Sequence, residues 1–403
     1  MAMDETPIPP IPGWTPTVGA EDASQCPRHA DARKVRLPNG QEVWLLSGYD
    51  ICREALTHRA LSSDHTHPNY PDVFPIKKSR EAQRATLATY SGMDPPEHTL
   101  HRRLMAEEFS IDSVGKWRQR VFAIAERQLE TLVAPQRRSG EIVAQYAEPI
   151  ASTTIFEFLG IRPDWRTEMA RLAHVLLGSG ADRQAASAAS ASFRQFLDAL
   201  GAEKETDANA DDVLSRLVVR YRREGLYSRL QFVELAGALI AAAHRTATTM
   251  IALSIAMLIE RPDARIQMFA DRVAFDRGVE ELLRYLSVGD LATARIAVAE
   301  VELAGMSIEK GEGMIVSTAH ANYDVEKFPD AWRFDISRQG PDHVAFGHGA
   351  HKCLGQHLAR LELEAALRVL FGRLPYLRHE NLDAMRVQRE GAVLSVNEVR
   401  VCW

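Results

Sequence analysis

Cysteine is scarce in this chain. The four residues, Cys26, Cys52, Cys353 and Cys402, lie at wide and irregular spacing. That spacing makes no disulfide framework and fits a reducing compartment such as the cytoplasm. A secretory leader is also missing: MAMDETPIPPIPGW has neither a basic start nor an apolar run. This proline-rich segment, about residues 1–30, is expected to lie extended over the surface. Basic excess is absent too, because the net charge is -6, which gives no reason to expect a nucleic-acid partner. The longest charge-poor stretch, 235–259, is broken at its centre by His244 and Arg245. Such an interruption suits a buried helix better than a membrane anchor. No internal repeat or low-complexity linker divides the 403 residues, and 46% hydrophobic content is ample for a core.

What is present is mostly helical periodicity. EHTLHRRLMAEEF, VGKWRQRVFAIAERQLETLV and ASFRQFLDALGAEKE place apolar residues three and four apart. Alternation marks two other regions. VRLPNGQEVWLL, 35–46, predicts a hairpin around Pro38-Asn39-Gly40, followed by a helix capped by Ser47 or Asp50. A β-rich stretch begins near 291, with Gly305 and Gly311 as turns, and GAVLSVNEVRVCW predicts a closing hairpin. Between 60 and 92 the chain is polar and aperiodic, the mark of a functional loop. The expected architecture is mainly α with a small β lobe.

Chemistry concentrates in FGHGAHKCLGQHLAR, residues 346–360. His348, His351, Cys353 and His357 could ligate zinc, although no second Cys/His pair lies nearby. Cys353 could be a nucleophile activated at a helix start. A tight exposed turn with incidental histidines is the third reading of this segment alone.

The full pattern Phe346-xx-Gly349-x-His351-x-Cys353-x-Gly355 resembles the haem-binding signature of the cytochrome P450 family. Glycines there let backbone approach a flat macrocycle that a Cβ would strike. Further segments resemble the family in order along the chain. GVEELLRYLSV carries its ExxR as Glu281 and Arg284, and FPDAWRFD supplies Arg333 as the expected third member of a structural Glu–Arg–Arg cluster. MDPPEHT is similar to the start of the family's helix that binds haem propionates, which implies that role for His98 and Arg102. Arg295 in ATARIA and His351 complete the implied propionate set.

The resemblance implies one P450-fold domain over 1–403, haem b with Cys353 as axial ligand of its iron, and EC 1.14 oxidoreductase activity. It further implies a small-molecule substrate and two electrons from NAD(P)H through ferredoxin reductase and ferredoxin. The Arg102, Arg103 and Lys352 neighbourhood would meet that acidic partner. The family's pocket regions correspond here to His65, Tyr70, Ser287, Val288, Leu291, Ala292, Val393 and Leu394.

One departure stands out. The family usually carries [AG]-G-x-[DE]-T on its long central helix, where acid and alcohol deliver protons to bound dioxygen. Here the stretch reads Ala242-Ala243-His244-Arg245-Thr246. Thr246 is kept, and Arg245 replaces the acid. An arginine is no general acid near neutral pH, and within an apolar helix it needs a counter-charge. Pairing away from the haem, binding of an acidic or carbonyl-rich substrate, and a peroxide-driven cycle are the alternatives. His244 is read as satisfying a core hydrogen bond or lining a water channel. Ala242 would face the haem and leave room for a bulky substrate. The expected function is therefore a monooxygenase of secondary-metabolite biosynthesis, acting by hydroxylation or by oxidative C–C or C–N coupling, for example of a tryptophan-containing cyclodipeptide. A peroxygenase and a non-catalytic haem sensor are the alternatives.

Overall fold

The computed structural model describes residues 32–37, 39–72, 90–134, 136–177, 183–206, 211–289, 293–339, 342–380, 382, 385–390 and 393–403. The expected extended N-terminal segment and most of the 60–92 loop lie outside these residues. The described chain falls into two compact units built from non-contiguous stretches. The first draws on 1–83, 252–356 and 376–403, the second on 84–251 and 357–375.

Strands β1 (Ala32–Arg36) and β2 (Glu42–Leu46) open the first unit as the expected antiparallel hairpin. Gly40 takes the left-handed backbone that its turn requires (φ 82°), while Pro38 is outside the described residues. Helix α1 (Tyr49–Thr57) follows, but its N-cap is Gly48 with no side-chain bond, so neither Ser47 nor Asp50 caps it. Ser47 is instead buried, and Asp50 sits within the first turn.

Strand β3 (Leu61–Ser62) and, much later, β5 (Ala294–Ala297) and β8 (Gly313–Val316) complete one sheet in the order β1-β2-β8-β5-β3. β2 and β8 pair in parallel and the remaining neighbours antiparallel. All residues of β5 and β8 are buried, Arg295 on β5 included, so alternation does not hold within these two strands. Val35, Leu37, Val43, Leu45, Ala294 and Ile315 form a core cluster on this sheet.

Between β5 and β8 lies a small hairpin, β6 (Val301–Leu303) with β7 (Met306–Ile308). The chain end departs from the expected single hairpin. β11 (Val393–Val396) pairs back onto β10 (Val387–Glu390), whereas β12 (Arg400–Cys402) pairs with β9 (Arg378–His379). The alternating stretch thus feeds two sheets. Alternation reports faces and does not choose partners.

The second unit contains the short strand β4 (Ser139–Glu141) and helices α2 (Glu97–Ala106), α3 (Ile111–Gly115), α4 (Arg118–Leu132), α5 (Glu148–Leu159), α6 (Pro163–Leu177), α7 (Arg183–Thr206) and α8 (Val213–Arg223). It also holds most of the 32-residue α9 (Arg229–Glu260). One turn of π-helix, Val143–Ala147, leads straight into α5. Helix α9 is long and apolar enough to cross a membrane, yet 72% of its most apolar window is buried within the protein. It is a core helix, as His244 and Arg245 predict. Helices α10 (Pro262–Met268), α11 (Arg272–Leu286) and α12 (Thr318–Asn322) belong to the first unit, and nearly all of α13 (Gln356–Arg373) to the second.

Candidate functional site

The Cys353 segment is a shaped loop. Gly347 and Gly349 both adopt left-handed backbone (φ 71° each) around one 3-10 turn, Gly349–His351. Cys353 N–H donates to Phe346 O at 2.8 Å, and α13 begins three residues later. A Cβ on Gly349 would lie 2.9 Å from Leu56 O and from Thr57 Cγ2, so this glycine lets the loop press on the end of α1. A Cβ on Gly347 or Gly355 would meet nothing within 4 Å. At both positions the backbone therefore borders open space. Cys353 is half-buried and takes part in no disulfide.

A network within the first unit fixes this loop. Arg284, 2% exposed, forks onto the Glu281 carboxylate at 2.7 and 2.9 Å and donates to Asn322 O and Ala331 O. The third member is Arg338, which reaches Glu281 Oε1 at 3.2 Å and also holds Arg333 O at 2.8 Å. This corrects the assignment of Arg333, whose side chain is exposed. Asp330 has a left-handed backbone (φ 52°) just before it, and the chain then turns so that only the Arg333 carbonyl faces the cluster.

Asn322 then carries the network to the cysteine loop. Its Oδ1 accepts from Val344 N–H at 2.8 Å and its amide donates to Ser287 Oγ at 2.8 Å. Ser287 is buried, left-handed (φ 38°) and also donates to Arg284 O. Its hydroxyl is engaged in this lock. Asn322 carries no sequence signal, since nothing in TAHAN sets it apart.

On α9, Ala242, Arg245 and Thr246 share one face by their three- and four-residue spacing. Ala242 is exposed and the other two are half-buried, while His244, Ala247 and Thr248 are buried. Thr246 Oγ1 donates to Ala242 O at 2.7 Å. His244 Nε2 stands 3.6 Å from Glu148 Oε1, in the first turn of α5. Burial pulls the Arg245 guanidinium below its ordinary range, and the charge of Glu148 offsets this only in part. Among the described residues, no three His, Cys, Asp or Glu side chains converge on a metal-sized point, which removes the zinc reading.

Comparison with known proteins agrees with this geometry. A family model described as cytochrome P450 matches residues 264–380. The chain is 35% identical over 372 residues to cytochrome P450 105A3 of Streptomyces carbophilus, covering 92% of this chain and 89% of that one. It is 35% identical over 348 residues to the 6-deoxyerythronolide B hydroxylase of Saccharopolyspora erythraea, covering 84% of each. The crystal structure of cytochrome P450 MoxA from Nonomuraea recticatena superposes with a TM-score of 0.88 at 31% identity, over 100% of this chain and 99% of that one.

The chain belongs to the cytochrome P450 family. It is an oxidoreductase of the monooxygenase type with haem-thiolate iron as cofactor. The residues of this P450 fit that group. A half-buried thiol sits where a loop enters a helix, a setting that favours thiolate. Gly347 and Gly355 flank it in sequence, and a Cβ at either would meet nothing within 4 Å, so neither position crowds a bound ring.

Arg295 and His351 lie in the first unit and His98 and Arg102 in the second. Arg295 is 5% exposed on β5, with Nη1 donating to Ala294 O. The His351 ring meets Ser63 Oγ at 3.3 Å, an orienting partner that LSSDHTH does not announce. His98 is 1% exposed in the first turn of α2, one turn before the half-buried Arg102.

Among the implied substrate residues, Leu394 N–H donates to Val288 O at 2.8 Å, so the α11 corner and β11 meet; Val393 adjoins them on the same strand. The His65 and Tyr70 rings pack 4.5 Å apart. Tyr70, however, packs on the sheet core and donates its hydroxyl to Ala294 O at 3.0 Å. It secures the start of the polar loop to the sheet. Leu291 and Ala292 lie outside the described residues.

Proposed function

We propose that this P450 oxidises a bulky small molecule of secondary metabolism, with Cys353 as the iron ligand. The cysteine loop carries the reading: two left-handed glycines, open space at Gly347 and Gly355, and a thiol outside any disulfide at a helix entrance. Haem held by a thiolate supplies the centre at which dioxygen is activated. The chain's own residues do the rest. His98, Arg102, Arg295 and His351 bind the propionates through charge-assisted hydrogen bonds, and Phe346, Gly349 and Gly355 shape the loop. Ala242 leaves space over the ring. Thr246 holds a proton at Oγ1, and Arg245 next to it binds substrate. His65, Val288, Val393 and Leu394 line the substrate side.

Electrons come from NAD(P)H through a ferredoxin reductase and a ferredoxin in the cytoplasm. Lys352, adjoining Cys353, and Arg102 and Arg103 on α2 supply cations suited to an acidic donor. Hydroxylation is the first reading, in line with the hydroxylase named among the relatives. Arg245 at the usual acid position favours a second, oxidative coupling of an aromatic, amide-bearing substrate.

The reduced, carbon-monoxide-bound spectrum tests the ligand. A red-shifted Soret band that Cys353→His abolishes is the expected result; a histidine-type spectrum in the wild type overturns it. Turnover with ferredoxin, reductase and NADPH is expected to exceed turnover with hydrogen peroxide alone. The reverse order establishes the peroxygenase alternative.

A further inference from the structure

The acid absent from position 245 is not absent from the neighbourhood. Glu148 begins α5, directly after the π-turn, and its side chain is 21% exposed. It stands 3.6 Å from His244 Nε2, whose side chain is 5% exposed. Its charge also acts on Arg245, the next residue along α9. In the family pattern the central helix bears acid and alcohol together. Here α9 bears a cation with the alcohol, and the carboxylate is supplied from α5.

That exchange has a consequence for recognition. A half-buried guanidinium without a counter-charge would strongly favour an anionic ligand, because burial makes an unbalanced charge costly. A guanidinium already balanced still offers N–H donors in a rigid fork, but little net charge. We propose that Glu148 is a positioning residue for Arg245: it balances the guanidinium, so that Arg245 presents donors to a neutral carbonyl of the substrate rather than charge to a carboxylate. This rests on the reading above, in which the Thr246 face is the oxygen and substrate side. It narrows the substrate class to amides, lactams, lactones and ketones.

Spectral titration of the ferric holoenzyme with azide and with imidazole tests this, because one probe is anionic and the other neutral. In Glu148→Gln the net charge near Arg245 rises by one. Azide is then expected to bind roughly three- to tenfold tighter, the scale of one charge at intermediate dielectric, with imidazole changed less than about twofold. Arg245→Met is expected to weaken azide by a similar factor. In the Arg245→Met background, Glu148→Gln is expected to move azide less than about twofold. Glu148→Asp is expected to return azide affinity toward wild type.

Thermal midpoints give a second readout. Glu148→Gln is expected to lower the midpoint with Arg245 present and to leave it nearly unchanged with Met at 245. Equal azide shifts in both backgrounds, or no azide shift in either together with equal midpoint changes in both, overturn the role of Glu148. If Arg245→Met itself leaves azide unchanged while Glu148→Gln still lowers the midpoint only with Arg245 present, the pairing stands and the placement of Arg245 on the oxygen side fails.

Discussion

Single residues carry the most direct tests. Glu362 on α13 is 3% exposed, and its Oε1 has no hydrogen-bond partner. Burial raises its carboxyl well above the ordinary range, which favours the protonated form in the fold. An unfolded chain ionises the same group near its usual value. Stability contributed by this residue is hence full below that value, and falls as pH rises toward the folded pKa. Glu362→Gln is expected to raise the thermal midpoint at neutral pH and to lose that advantage near pH 4, read from melts across the range. Arg338 and Arg333 separate as cleanly. Arg338→Ala leaves the 5%-exposed Glu281 short of a partner, while Arg333→Ala removes an exposed side chain. The first is expected to cost about 2–4 kcal/mol in urea unfolding, toward the range for breaking buried ion pairs. The second is expected to cost under about 0.5 kcal/mol, as at ordinary surface sites. ExxR spacing made Glu281 and Arg284 legible because both lie on one helix. Arg338 was not, since its place depends on how the 329–338 loop folds back.

At the level of elements, the two left-handed glycines of the cysteine loop have separable duties. Gly349→Ala meets a backbone carbonyl at 2.9 Å as well as an unfavourable φ. It is expected to lose more than the roughly 1–2 kcal/mol of left-handed strain alone, seen as a lower urea midpoint. Gly347→Ala meets open space. Its stability loss is expected to stay near the strain value, while haem occupancy, read as the Soret-to-protein absorbance ratio, falls further. Elements with strong periodicity were legible: the first hairpin, α9 and the helical middle of the chain all follow their patterns. The chain end was not, because β11 and β12 alternate alike yet join different sheets. The cap of α1 failed for a local reason: Ser47 and Asp50 flank Gly48, and the backbone begins the helix without either.

For the whole molecule, a cofactor held by the folded chain alone stabilises that fold by mass action. The holoenzyme is expected to melt at a higher temperature than haem-stripped protein. Cys353→Ala is expected to lose part of that increment and to leave the haem-stripped midpoint nearly unchanged, as scanning calorimetry would show. Much of the functional plan was legible at this scale, since the family motifs fall in order from about 90 to 360. The substrate was not. The regions that the family resemblance implies for it are loops and strand ends, where side chains such as Tyr70 and Ser287 also bond to the scaffold, so sequence does not separate the two duties.

The Asn322 bridge bears on how the protein matures. The bonds that set the cysteine loop, from Glu281 through Arg284 and Asn322 to Val344, are internal to the chain. A loop set by such bonds is expected to be shaped before haem arrives, so that uptake resembles docking more than folding. Asn322→Ala is then expected to slow haem uptake in stopped-flow reconstitution, and an unchanged rate overturns this.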